Sequence, residues 1–408
     1  MKTARRRPGK TPKVAVAAAA LFPLSLAACG GAGASGSESP NTLTVQDYYE
    51  AVHDPIYQAC AKKAGVQVKI NHIPNAGLIQ KVLQQSSSRT LPDVLMLDNP
   101  DVQQIAASGA LSPLSDYGLN GDGMVPAVVK AGTHEGKLYG LAPAVNTLTI
   151  FYNKDLFEAA GITAPPKTWD ELRATAKKLT QQGRYGFAMS NINTYEGSWQ
   201  FLPFMWSNGG SEQNLATPET AQALQFVLDL QNDGSISKSS VNWSQDDVIN
   251  QFVAGKAAMV VNGPWQFPTL GKHKDLNWAA FPVPTRTAGQ TPVAPLGGEL
   301  YTVPRTRDKA KMAKAGEFVK CLTSQEQQLE TAKIQQNVPS DMAAAATFAQ
   351  TKPEIAPFAT AVKTARARTE LLGADWPKAA TKIYTAVQAA LTGKSDPAQA
   401  LQQAQSSQ

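Results

Sequence analysis

Cysteine is nearly absent from this chain of 408 residues, with three copies at positions 29, 60 and 321. Thiols so far apart exclude a disulfide-dense scaffold and show none of the paired spacing of a zinc site. Histidine is almost as scarce: His53, His72, His134 and His273 stand singly, outside any HExxH pattern, so a metal centre is not expected. The sequence contains neither a P-loop nor the GxSxG of a nucleophile elbow. No internal repeat stands out. After residue 28 no apolar run approaches the roughly 20 residues that span a bilayer as a helix. Acidic residues are missing from the first 37 positions, which hold Lys2, Arg5, Arg6, Arg7, Lys10 and Lys13. The formal net charge of +6 therefore belongs to the N-terminus, and the remaining Lys and Arg balance the 32 Asp and Glu. Nothing in that balance calls for a nucleic-acid partner.

What the N-terminus does contain is a basic segment, an apolar run from Val14 to Ala28 broken by Pro23, and Leu26-Ala27-Ala28-Cys29. A run this short is a secretory signal rather than an anchor. Its end resembles a bacterial lipobox, which implies export by the general secretory route and acylation of Cys29. Residues 30–40 are Gly, Ala and Ser with little else and read as a flexible tether. The Gly31–Gly36 match to GxGxxG neither follows a strand nor opens a helix, so a dinucleotide site is discarded.

About 370 residues remain, more than one core usually holds, and two domains are expected. The spacing predicts strands at Thr42–Tyr48, Val66–Ile70 and Pro92–Leu97, alternating with helices at Asp54–Gly65 and Gly77–Ser87. That alternation implies a parallel or mixed sheet covered by helices, with ligands bound beyond the carboxyl ends of its strands. The turns Tyr48-Tyr49-Glu50 and Asp98-Asn99 lie at such ends. Further along, a strand is expected at Tyr185–Ser190 and one continuous helix at Lys309–Ala332. The remainder should be helical and Ala-rich, broken at Pro353, Pro357, Pro377 and Pro397.

The most legible stretch is Gly136–Leu172. A short β-branched and aromatic strand ends at Tyr152, Asn153 caps a short helix, Gly161 stops it, and Pro165-Pro166 forbid helix beyond. Thr168 with Glu171 then forms a capping box for the next helix. Here LYGLAP, YNKDLFEAAGI and PPKTWDEL resemble the carbohydrate-type extracellular solute-binding proteins of ABC importers, the maltodextrin-binding-like class. FVAGKAAMVVNGPW (252–265), FPVP (281–284) and PLGGELYTVP (295–304) match the same family in the same order. The resemblance implies an α/β fold of two lobes, 42–144 plus 284–337 and 145–283 plus 338–408, joined by hinge crossings of which Ala142–Leu148 is the first. It also implies no catalysis and no cofactor, a monomer held to the outer face of the membrane by its lipid alone, and an ABC permease as partner.

A sugar site needs flat aromatic faces for C–H surfaces and fixed polar groups for hydroxyls. Trp265 follows a strand and a Gly-Pro turn, and the resemblance makes the tryptophan of NGPW a sugar platform. Trp376, before Pro377, resembles a late aromatic that the family sends into its cleft. Asp98 and Asn99 match the family's acidic acceptor after a strand. Glu299 follows Gly297-Gly298, and Gly298 would let backbone approach a ligand closely. Tyr48, Glu50 and Asn146, with Tyr195, Glu196 and Trp199 at the start of an aromatic helix, complete the candidates. Each polar residue is also a good cap or turn former. Phe201, Phe204 and Met205 at helical spacing read as core, as do Trp169, Trp243 and Trp278. Cys60 and Cys321 fall in predicted helices that the family places in one lobe, and two buried free thiols are the expected state. Two rivals stay open. One is the same fold binding a glycerophosphodiester or another polar solute. The other is a secreted glycan-acting enzyme drafting two of Glu50, Asp98, Glu196 and Glu299.

Overall fold

The computed structural model describes residues 41–49 and 51–407. The signal segment, Cys29, the tether with its glycine motif, and Glu50 lie outside the described residues. The strands used below are β1 (Thr42–Asp47), β2 (Gln67–His72), β3 (Val94–Asp98), β4 (Leu111–Ser112), β5 (Gly140–Leu141), β6 (Thr149–Asn153), β7 (Met259–Asn262), β8 (Trp278–Phe281) and β9 (Glu299–Pro304). The helices are α1 (Asp54–Ala64), α2 (Asn99–Ala107), α3 (Trp169–Leu179), α4 (Tyr195–Ser207), α5 (Gln245–Val253), α6 (Lys309–Leu322), α7 (Gln325–Gln335) and α8 (Trp376–Leu391).

The first sheet has the order β2-β1-β3-β9-β4, with β5 beside β9. β1 runs parallel to β2 and β3, whereas β9 enters antiparallel to β3 with Glu299 opposite Asp98. Val94 to Leu97 are all fully buried, the continuous apolar pattern of a central strand covered on both faces. α1 packs on this sheet and is closed by Gly65 at φ 65°, a left-handed stop that glycine adopts without strain.

The second sheet is antiparallel, in the order β7-β6-β8. Its side chains alternate between two cores. Ile150, Met259 and Val261 face α3, α4 and α8, while Phe151 and Val260 face a core continuous with that of the first sheet. α3 begins with the expected capping box of Thr168 and Glu171, and α5 with a second one of Ser244 and Asp247. Trp169 stacks on Phe226 and donates its indole N–H to Pro284 O (3.0 Å), a packing role.

Between the sheets several segments run side by side. Val145 pairs with Val338, Asn146 with Gly297, and Pro295 with Arg366. Thr147 Oγ1 donates to Pro295 O at 2.7 Å.

Three expectations need correction. Cys60 and Cys321 form a disulfide joining α1 to α6, their Cα atoms 5.6 Å apart, so they are not free thiols. Lys309–Ala332 is two helices: Thr323 Oγ1 turns back to Val319 O (3.0 Å) and Ser324 Oγ to Cys321 O (2.7 Å), and Ser324 is extended. Side-chain bonds of this kind compete with the helix ladder. Tyr185–Ser190 makes isolated bridges, Tyr185 to Ala257 and Ala188 to Val260, instead of a strand. Between them Gly186 is pressed against Ala176, where a Cβ would lie 1.8 Å from the carbonyl oxygen, and the Phe187 N–H turns away to Ser235 O.

The disulfide closes a loop of 261 residues. Reduction, or Cys60→Ala with Cys321→Ala, is expected to lower stability by about 2–5 kcal/mol. Calorimetry with and without reductant should show the drop in the natural chain and none in the double variant.

Candidate functional site

The carboxyl ends of β1 and β3 and the start of β9 share one edge of the first sheet. Tyr48, just past β1, donates to Glu299 Oε1 at 2.6 Å, and Tyr49 donates to Oε2. Burial raises the Glu299 carboxyl above its usual range, and the two phenols oppose that rise. Burial, with the Glu299 charge adding to it, pushes both phenols well above the usual tyrosine range. Tyr49 also stacks on the buried His53, ring centroids 4.0 Å apart. Asn99 Nδ2 donates to the carbonyls of Leu296 and Gly298, both at 3.1 Å, bracing the segment that enters β9. Its Oδ1 is buried without a partner.

Other groups arrive from α4 and the crossing segments. Arg368 is 4 % exposed, forms an ion pair with Asp98 Oδ1, and holds its guanidinium 4.5 Å from the ring centre of Trp199. Its Nε has no partner. Asp101, in the first turn of α2, is buried and makes no hydrogen bond to any described residue; its Oδ1 is fully enclosed. Burial, with the charge of Asp98, raises its carboxyl to about 8, against the pull of Arg368. Tyr195 responds to the same charges from α4. Burial and the carboxylates of Asp101 and Asp98 raise its phenol, and Arg368 opposes them.

Asn146 lies on the crossing and is nearly buried, with its backbone paired to Gly297. A Cβ on Gly297 would lie 1.9 Å from Asn146 Oδ1 and 2.9 Å from the Trp199 ring. Gly298 has φ 126°, and its Cβ would meet Ala144 O at 2.7 Å. The two glycines thus allow neighbouring segments to approach each other.

The structure therefore brings Tyr48, Asp98, Asn99, Gly298, Glu299, Asn146, Trp199 and Tyr195 into one region. Two candidates are placed elsewhere. Trp376 is 1 % exposed and packs near Trp206, because Pro377 opens α8 and turns the indole into the core. Glu196 accepts the Gln245 N–H at 2.8 Å and so serves the first turn of α5. Trp265 is partly exposed in the turn Pro264–Gln266, its ring laid over Gly263. Sequence reasoning missed Asp101 and Arg368. Asp101 was findable as a second carboxylate one helical turn from Asp98. The Arg366/Arg368 alternation in an Ala-rich segment was the signal for the other.

Among the described residues no cluster of three or more His, Cys, Asp or Glu could hold a metal ion. What the region offers is aromatic surface, a set of carboxylates with one guanidinium, and several buried polar atoms without partners. Such groups bind a solute rich in hydroxyls.

A family described as bacterial extracellular solute-binding protein matches residues 56–357. Putative binding proteins of Brucella abortus are 28 % identical over 216 residues, covering 50 % of this chain and 52 % of the relative. The chain thus spans about half the length of these relatives. A maltooligosaccharide ABC transporter solute-binding lipoprotein of Streptococcus pneumoniae is 28 % identical over 76 % of this chain and 75 % of its own length. The maltose-bound T. maritima MalE3 superposes with a TM-score of 0.79 at 24 % identity, covering 89 % of this chain and 98 % of that one. The last likeness is one of fold, the two-lobe α/β fold of solute-binding proteins.

Arg368 is 5 % and Asp98 25 % exposed at the side chain. Arg368→Met should cost about 2–3 kcal/mol, less than a fully enclosed pair because Asp98 keeps contact with water. Combining it with Asp98→Asn should cost less than the sum of the single changes. Urea unfolding of the two single variants and the double variant measures that difference.

Proposed function

Because this chain belongs to the bacterial extracellular solute-binding proteins, we propose that it binds a mono- or oligosaccharide between its lobes and delivers it to the permease of an ABC importer. The lobes would be 42–144 with 284–337 and 145–283 with 338–408. Cys29 would carry the lipid that holds a monomer at the outer face of the membrane. The observation that carries the sugar reading is the convergence of Asp98, Asp101, Arg368 and Tyr195 beside the indole of Trp199. Carboxylates and a guanidinium accept from and donate to vicinal hydroxyls, and an indole covers the apolar face of a pyranose. The name of the pneumococcal relative points the same way.

A phosphodiester fits the charge balance less well. Among the described residues of this region its matching cation, Arg368, is already paired with Asp98, and Glu299 lies opposite Asp98. An anion placed there would face more carboxylates than guanidinium. Glycan hydrolysis needs two free carboxyl groups flanking a bond. Both Glu299 oxygens accept from tyrosines, and Asp98 holds Arg368, which supports binding without catalysis.

Thermal-shift screening against mono-, di- and oligosaccharides, glycerophosphodiesters and amino acids tests this. A sugar at a hundredfold excess over its Kd adds about 2.7 kcal/mol of stability. A shift only with phosphodiesters would replace the ligand class, and release of sugar product would make the protein an enzyme. Trp265→Ala is expected to weaken binding of the sugar found at least about tenfold with the melting temperature of the free protein little changed. Unchanged affinity in calorimetric titration would remove Trp265 from the site.

A further inference from the structure

Asp98 and Asp101 stand one helical turn apart at the start of α2, and the Arg368 guanidinium bonds Asp98 alone of the two. Arg368 spends an Nη on Asp98 and its face on Trp199, while its Nε and Asp101 each remain without a hydrogen bond. Asp101 is 6 % exposed. A carboxylate enclosed to that degree beside a second carboxylate is costly to ionise unless something bonds to it. The groups facing it are Asp98 at the end of β3, Arg368 on the crossing segment and Tyr195 on α4, with Glu299 of β9 opposite Asp98. Lys130 is paired with Glu370 and Lys378 with Asp375, both at the surface. Burial raises this carboxyl most, Asp98 adds to the rise, and Arg368 opposes it.

We propose that Asp101 meets the bound solute as a neutral carboxylic acid, donating its O–H to a solute oxygen, so that binding is proton-linked. This rests on the reading of the region as the solute site. The acid form is the one compatible with its surroundings. Burial and Asp98 raise this carboxyl from 3.8 to about 8, so the proton is present at neutral pH. As a donor it complements Asp98, which accepts, and a sugar hydroxyl can satisfy both in turn. Above that range the proton leaves, the donor is lost, and the solute faces a second buried anion.

The same proton links stability to pH. A folded-state value above the unfolded one means that the native protein keeps a proton that the unfolded chain releases. Stability therefore falls as pH rises from about 4 to about 8 and is level above. Asp101→Asn removes this loss, so its melting temperature relative to the natural protein should rise across that window. It also keeps a donor of similar shape.

The experiment is calorimetric titration of the protein with maltotriose at about pH 7 and about pH 9.5, with thermal melts of the natural chain and Asp101→Asn from about pH 4 to about pH 9.5. If only the protonated fraction binds, affinity falls about thirtyfold between the two pH values. Asp101→Asn should bind with an affinity that is flat with pH. A flat affinity in the natural protein overturns the proposal, and that measurement stands even if the variant fails to fold. A melting difference that does not change with pH shows Asp101 ionised throughout and overturns it as well. Failure of maltotriose to bind counts against the sugar reading alone, since the melts still decide the proton state of Asp101.

Discussion

The antiparallel pairing of β9 with β3 is the constraint on which the rest depends. It takes a chain that has left the first sheet at residue 141, built a second sheet, and come back, and it seats that returning strand in the middle of the first sheet. The register sets Glu299 opposite Asp98, brings Glu299 within reach of the two tyrosines after β1, and fixes the Gly297-Gly298 approach against Asn146 and Ala144. A slip of one residue would send every side chain of β9 to the opposite face. Glu299 would then leave the tyrosines, and Leu300 would take its place.

The second organising feature is residues 366–370, where a bridge at Arg366 runs into a turn closed by the Glu370 N–H on Ala367 O. Arg366 lies over Trp206 and pairs with Glu212, Arg368 lies over Trp199 and pairs with Asp98, Thr369 accepts from Gln103, and Glu370 pairs with Lys130. Of these four bonds the first reaches the loop after α4, and the other three reach the end of β3, α2 and Lys130 on the side of the first sheet. Each arginine combines a stacked face with a carboxylate, a geometry that the planar guanidinium supports and a lysine ammonium does not.

Features written in local chemistry were readable from the sequence. The capping box at Thr168, the left-handed glycines after α1 and at Gly161, and the strand ending near Asp98 depend on residues a few positions apart. The two-lobe fold came from ordered motifs rather than periodicity. What escaped is long-range. Arg368 meets Asp98 across 270 positions and Cys60 meets Cys321 across 261, and no local pattern encodes either distance. Trp376 was misread because a residue before proline looks like a loop, whereas a proline in the first turn of a helix leaves the preceding side chain free to pack inward. Asp101 was passed over because an acid in the first helical turn is ordinarily a solvated partner of the dipole, and here it is enclosed.

The place of β9 between β3 and β4 also has a temporal side. During synthesis the first sheet stays unfinished until residues 299–304 exist, roughly two hundred positions after β3 has been made. Until then β3 and β4 present unpaired edges that any extended chain could join. The protein thus cannot complete its first-born part first: the early strands must wait, protected from aggregation, for a late one. A truncation before residue 299 should leave a fragment with the β3 edge unpaired instead of a smaller binding domain.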